Sequence, residues 1–499
     1  MITVNDGPAT TRFTPLTLNG VCALDDLPAR GISAEMAAVL DRAPGGECVA
    51  WGIPFQVDRV LPVAGEARTI EFAPTRAPWL VFMHTSDMRP SDTPEAEQER
   101  IRRGREWLGE HAADYVFLYD DGSEERVEIR RRFQVGMVRY NWADHCFNAV
   151  HHGKPRPVRL ISEQQDETFN AWALNQRRVR ITGNGTPWMN WLWAWQNPHP
   201  EKALVGLRVE PVSGLLVISA ISAGMATEEP LRWGTRRKAV VTLPEGEAFD
   251  PVLDALGQLR QIRLDMGQVI SAIPRPLYPN AQWEASEFNA VPDVSAREVL
   301  VEYTAHPDAC FHLASGEVIP IASQSDGDGS VRETPPSRQH VTLRTVLRGS
   351  STPVAVKLHV HGQAGEYLPP QERQRIGNPG FGEDYSTADY VRYGHLDTHL
   401  ITEGVHYCTY IRGETVIDLP LGPVYIEITK GFEIRPLRKV VEITPETDTI
   451  TIEIDKVLPW REHGWVCADP HVHFLSPSTA LLEGAGEGCL LYTSPSPRD

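Results

Sequence analysis

The sequence predicts a mainly β chain built from two or three sandwich modules, followed near its end by one strand–helix element. Three observations carry this expectation. The 39 glycines and 40 prolines are spread along 499 residues, which suits short strands joined by turns better than long helices. Short alternating or wholly apolar runs recur along the chain, the signature of strands buried on one or both faces. The length also exceeds the roughly 250–300 residues at which a single core stops growing, so several domains are expected.

Composition narrows the function. Hydrophobic residues make up 41% and charged residues 23%, a globular balance. The formal net charge of −18 argues against nucleic acid as a partner, because phosphate binding needs a basic face. No apolar run approaches the roughly 20 residues of a membrane-spanning helix. The segment Met1–Gly7 has no basic stretch leading into an apolar one, so a cytoplasmic protein is expected. The seven cysteines (22, 48, 146, 310, 408, 467, 489) include no CxxC pair. Reduced thiols are therefore expected, rather than a disulfide framework or a cysteine zinc site.

Residues 1–47 form a mixed N-terminal segment with a short helix over 33–42. From Cys48 the pattern turns to β: 51–55, 67–72, and the apolar run Trp79–His84. Residues 95–111 are highly charged and read as a surface helix. Tyr115–Tyr119, the turn Asp120-Asp-Gly122 and the alternating 125–129 form a hairpin, and strands follow over 204–209 and 214–221. Residues 226–338 form a mixed linker and β region, with a helix over 249–262, a strand over 299–303 and a polar loop over 323–337. Strands return over 340–347, 353–361, 410–428, 440–443 and 449–454, with a Gly-rich excursion at 376–390.

Two resemblances organise these elements. Trp51-Gly-Ile-Pro-Phe55, the 119–123 turn and Gln196-Asn-Pro-His-Pro-Glu-Lys202 resemble the galactose-binding-like jelly-roll sandwiches of many hydrolases, over 48–225. The stretch Leu419–Glu433, with its Pro-x-Gly turn, is similar to a prealbumin-like sandwich of the carboxypeptidase-regulatory type, over 339–456.

Chemistry concentrates at 464–488. In Ala468-Asp-Pro-His-Val-His473, residues two apart on a strand point to one face, so His471 and His473 can reach one metal ion, and Asp469 shares that face. Ser476-Pro477 then suits a helix start. Strand, ligands, loop and helix make the opening of a β/α barrel, whose chemistry sits at the carboxyl ends of its strands. This stretch, continuing into Leu481-Leu-Glu-Gly-Ala485, resembles the metal-dependent hydrolases of the amidohydrolase and PHP type, and within them the CehA/McbA family. The resemblance implies a divalent ion (Zn, Mn or Fe), with His471 and His473 as ligands and Asp469 as a ligand or the orienter of one. It also implies hydrolysis of a small ester, amide or phosphoester by metal-activated water, with further ligands from later strands. The segment 489–499 resembles translated sequencing-adapter read-through. The chain is accordingly expected to be a C-terminally truncated member holding only the first βα element of an incomplete barrel, metal-free and inactive as given.

Two other patterns compete. Trp188, Trp191, Trp193 and Trp195 invite a carbohydrate platform, since Trp191, Trp193 and Trp195 share one strand face; the opposing reading is core or rim packing. A non-catalytic carbohydrate-binding protein is therefore the alternative function. His359 and His361 also alternate on a strand, with His395, His399 and His406 downstream, and read as surface-strand histidines rather than ligands. No Gly-x-Ser-x-Gly elbow and no phosphate-cradling loop occurs.

Overall fold

The computed structural model describes residues 3–18, 22–87, 98, 107–138, 145–154, 188–250, 252, 258–278, 293–323, 329–371, 409–469 and 477–492. The expected helix over 95–111 falls largely, and the excursion over 376–390 wholly, outside these residues, whereas the described part of 249–262 (249, 250, 252 and 258–262) holds no helix. Two of those stretches run into strands, His111–Tyr119 and Ile262–Leu264. The described chain is mainly β, with several largely antiparallel sheets, few helices, and no sheet closed into a barrel.

The first sandwich has two sheets. One runs in the order Phe13–Leu16, Leu216–Gly224, Trp79–Ser86, Trp191–Gln196, Ala149–His151, with Leu61–Val63 also on Leu216–Gly224. The facing sheet runs Arg68–Thr75, Leu204–Pro211, His111–Tyr119, Glu124–Arg130. Leu80, Phe82, Tyr115, Phe117 and Leu207 fill the space between them. The outer face of the facing sheet is closed by ion pairs instead. Arg208 meets Glu124 at 2.7 Å and Glu210 at 2.8 Å, while Arg126 meets Glu210 at 2.7 Å and Asp114 at 2.6 Å.

Expectation and structure part at the boundaries of this sandwich. Phe13–Leu16 lies in the segment read as separate, yet it pairs along Leu216–Gly224 as an edge strand. The described residues of 226–338, read as a mixed linker and β region, include two sheets. They form a four-stranded sheet, Gly267–Pro276, Val294–Ala305, Arg237–Thr242, Val331–Glu333, and a three-stranded one, Ile262–Leu264, Cys310–Leu313, Val318–Pro320. The reason is the second face of the large sheet: Trp79, Val81, Met83, Val217 and Ala220 join one core with Val241, Ile262, Val301, Tyr303 and Phe311. Strand Val331–Glu333 lies within the stretch expected to be a loop because Val331 enters that core.

The hairpin Gly46–Ala50/Ile53–Val57 is wedged into this core. Its turn residues Trp51 and Gly52 both have left-handed backbones, φ 57° and 77°. The buried Asp6 carboxylate holds them, accepting from Trp51 N at 2.8 Å and Lys154 N at 3.0 Å. The Lys154 ammonium donates to the Asp265 carbonyl at 2.9 Å, tying the second module to the first.

The last sandwich has its own core of Leu343, Leu358, Val360, Ile417, Ile426, Ile452 and neighbours. One sheet is Glu414–Leu419, Gln339–Leu347, Thr449–Ile454; the other is Thr409–Ile411, Val356–His361, Gly422–Thr429, Leu437–Ile443. Gln339–Leu347 and Thr449–Ile454 pair in parallel, an exception to the antiparallel expectation.

A Cβ at Gly52 would lie 2.2 Å from the Asp265 carbonyl oxygen. Gly52→Ala is therefore expected to cost more than the ~1–3 kcal/mol of backbone strain alone, read as a lower urea midpoint. A mutant of wild-type stability would contradict this packing.

Candidate functional site

The C-terminal element starts where the last sandwich ends. The turn Arg461–His463 stops at Gly464, whose left-handed φ of 82° redirects the chain. Ala468–Asp469 is a strand, and helix Pro477–Gly486 follows. Asp469 is the last residue of that strand and is exposed. His471 and His473 lie outside the described residues, so Asp469 is the one expected ligand whose place is described. Leu482 and Gly486 are buried, and the helix packs on strands Val356–His361 and Thr409–Ile411. A carboxylate followed by two imidazoles is a donor set that suits a divalent ion. Among the described residues no three His, Cys, Asp or Glu side chains converge as a metal site. The described part of the 489–499 segment joins this element: Leu491–Tyr492 pairs in parallel with Ala468–Asp469, the Leu490 amide donates to the Cys467 carbonyl at 3.0 Å and the Cys489 amide to the Gly484 carbonyl at 2.7 Å.

The second histidine pair is not on the surface. His359 and His361 are 2% and 3% exposed. They project from the sheet face opposite to Leu358 and Val360, which fill the core. That outer face is covered: Tyr278 stacks on His361 at 4.6 Å between ring centroids. Across the ladder His359 faces Glu427 and His361 faces Tyr425. Glu427 pairs with Arg438 at 2.7 Å, both buried. Burial pushes the Glu427 carboxyl above its usual range, against the pull of Arg438. Glu366, also buried, is raised by the same cause. The result is a polar layer sealed between modules. His395, His399 and His406 lie outside the described residues.

Trp191, Trp193 and Trp195 do share one face, and that face is the core of the first sandwich; Trp188 is buried in the neighbouring core. Trp191, Trp193 and Trp195 are 3%, 6% and 5% exposed, and Trp188 is 1% exposed. Trp195 stacks on Phe117 at 3.5 Å, Trp193 on Phe82 at 5.3 Å, and Trp191 Nε1 donates to the Met137 carbonyl at 3.0 Å. A sugar platform needs an open ring face; here strand His111–Tyr119 supplies the stacking partner. The period-two pattern marks which side chains share a face, and not whether a second sheet covers it.

His84 belongs to this cluster, and nothing in the sequence distinguished it. Its ring stacks near Trp193, its Nδ1 is 2.8 Å from the Tyr115 hydroxyl and its Nε2 2.9 Å from the Gln134 carbonyl. Burial pushes it down to about 4, and His152, equally buried, to about 4. The Asp6–Lys154 contact was likewise invisible, because its partners are 148 residues apart.

No protein-family model matches the chain, and no curated protein does. Solved structures with some similarity include the group B streptococcus pilus 2b backbone protein, at 8% identity over 80% of this chain and 98% of that one, with a TM-score of 0.15. BcpA, the major pilin subunit of Bacillus cereus, is similar at 8% identity over 80% and 71%, TM-score 0.16. A streptococcal ancillary pilin is similar at 9% over 72% and 96%, TM-score 0.15. Such scores carry no inference about function.

Two outcomes follow from the tryptophan cluster. Trp195→Ala is expected to lose about 3–5 kcal/mol of stability, as a large core truncation does; full stability with loss of glycan retention on affinity gels would restore the platform reading. His84 and His152 are held neutral, whereas an unfolded histidine protonates near 6.5. Their contribution is therefore complete above that pH and is lost as pH falls toward about 4. Urea midpoints measured across pH 4–7 should fall with acid, less steeply in His84→Gln; an equal slope would refute this.

Proposed function

We propose that residues 464–488 are the opening strand, loop and helix of a metal-dependent hydrolase domain acting on an ester, amide or phosphoester. In this reading the jelly-roll-like and prealbumin-like sandwiches are the modules that carry it. The observation supporting it is local. A short strand ends on the carboxylate of Asp469, a helix starts at Pro477, and His471 and His473 fall between them. This order matches the carboxyl end of a barrel strand, where such enzymes keep their chemistry.

A divalent ion held there would supply Lewis-acid polarisation of the scissile group. The chain's own part is to present donors: Asp469 from the strand end, and His471 and His473 at the two-residue spacing that puts both on one side of an extended segment. Three donors fall short of a closed four-ligand shell, so affinity for metal is expected to be modest.

Zinc titration of the 499-residue chain should show weak binding that His471→Ala and His473→Ala abolish. Aryl ester and aryl phosphate hydrolysis should not exceed the free-metal background. Binding unaffected by either substitution would overturn the reading. Robust turnover lost in His471→Ala would instead establish a complete site within these residues.

A further inference from the structure

We propose that the seam between the second module and the last sandwich is proton-gated by Glu366: tight while this carboxyl carries its proton, loosened when it ionises. The observation is a buried acid at the point where the two modules touch. Strand Val356–His361 ends in a tight turn, with the Gly362 amide donating to the Glu366 carbonyl at 2.9 Å and the Gly365 amide to the Gly362 carbonyl at 3.0 Å. The residues on either side of Glu366 both reach the second module. Gly365, at φ 84°, lies so close to Pro276 that a Cβ would overlap the Pro276 carbonyl oxygen, and the Tyr367 carbonyl accepts from Lys238 Nζ at 3.2 Å. Beside them Tyr278 stacks on His361.

Glu366 is 2% exposed, and neither of its carboxyl oxygens has a well-formed hydrogen bond. Its side chain folds back over Gly362, where a Cβ would collide with the carboxyl. The charged and titratable groups around it are Lys238 and Arg275 from the second module, Tyr425 from strand Gly422–Thr429, and His361 and Tyr367 of its own hairpin. Among the described residues no cation pairs with it: Arg275 is held by Glu298 at 2.8 Å, and Lys238 by the Tyr367 carbonyl. Glu427, the other buried carboxyl of this layer, has Arg438 instead.

A carboxylate without donors or a close counter-charge is unstable out of water, so it takes up a proton or moves to solvent. Burial accordingly raises the Glu366 carboxyl, against the weaker pull of the loop amides, Lys238 and Arg275. The closed seam thus binds a proton that the open one releases. Its advantage is complete below the ordinary glutamate value of about 4.3 and is lost as pH rises through the raised one. That sign is opposite to the effect of His84 and His152. Displacing the turn alone opens the seam, since Leu358, Val360 and Ile426 fill the core of the sandwich behind it.

The test is hydrogen exchange of the 499-residue chain between pH 5 and pH 9, expressed as protection factors so that the intrinsic pH dependence of exchange is removed. Protection of the Gly362, Gly365 and Leu368 amides, and of Leu277 across the seam, should fall about tenfold over this range, while Gly422–Thr429 holds its protection. Glu366→Gln, equal in shape and unable to ionise, should keep the protection of acid pH throughout. A wild-type profile flat with pH overturns the proposal. So does an unchanged fall in Glu366→Gln, which would assign the titration to His361. Should Glu366→Gln fail to fold, Gly365→Ala decides: by forcing the turn off Pro276 it should leave these amides weakly protected at every pH, and full protection at pH 5 overturns the gate.

Discussion

The architecture depends on two strands buried on both faces. Every residue of Trp79–Ser86 and of Leu216–Gly224 is buried, and the two pair along their length. A strand in an ordinary antiparallel sandwich spends one face on the core and the other on water. Here the inner face packs Leu80, Phe82, Ile218 and Ile221 against the facing sheet. The outer face packs Val81, Met83, Val217 and Ala220 against the hairpin 46–57 and the second module. Each of these strands does twice the burial of a half-exposed one. The consequence is fusion: the first sandwich and residues 226–331 are held by one continuous apolar cluster.

Fusion of that kind seals polar groups between layers, and at one seam Asp6 and Lys154 meet several of them. Asp6 accepts from the buried amides of the left-handed Trp51–Gly52 turn, while Lys154 donates to the carbonyls of Leu264 and Asp265. Burial pushes the Asp6 carboxyl up and the Lys154 ammonium down, each opposed by the charge of the other. Breaking one side of such a pair leaves an uncompensated buried group, which is strongly destabilising. The Glu427–Arg438 pair plays the same part on the outer face of the last sandwich.

What could be read from the sequence follows from the range of each interaction. Alternation is local, so Thr449–Ile454, with every second residue buried, and the hairpin His111–Tyr119/Glu124–Arg130 were legible strand by strand. The continuous apolar run Trp79–His84 showed burial on both faces. It did not show that residues 226–331 supplied the second cover, because that partner is remote in sequence. Trp191, Trp193 and Trp195 were correctly placed on one face, but whether that face meets water is decided by Phe117, some 75 positions earlier. His359 and His361 failed in the same way, since Tyr278 covers them from another module. Asp469 was legible as the end of a strand; the sequence carried no sign that Tyr410 and Lys430 would meet the helix that follows.

Among the described residues, these constraints cover several sheet faces. The outer face of the first sandwich's smaller sheet is tied up in arginine–carboxylate pairs, and the inner and intermodule faces are packed. The outer face of the last sandwich's larger sheet is roofed by Tyr278 and the C-terminal helix. The C-terminal element differs. Its strand Ala468–Asp469 is exposed, and Trp465 and Val466 just before it are 70% and 62% exposed. Parallel strands are ordinarily stable only with both faces covered, so this strand draws little stability from its own sheet. Its order comes through the helix, from Leu482 and Gly486 in contact with the last sandwich and from Lys430 and Arg461, which donate to the Ala485 and Gly488 carbonyls at the helix end. Among the described residues, the last sandwich supports this helix, while the strand that precedes it is exposed.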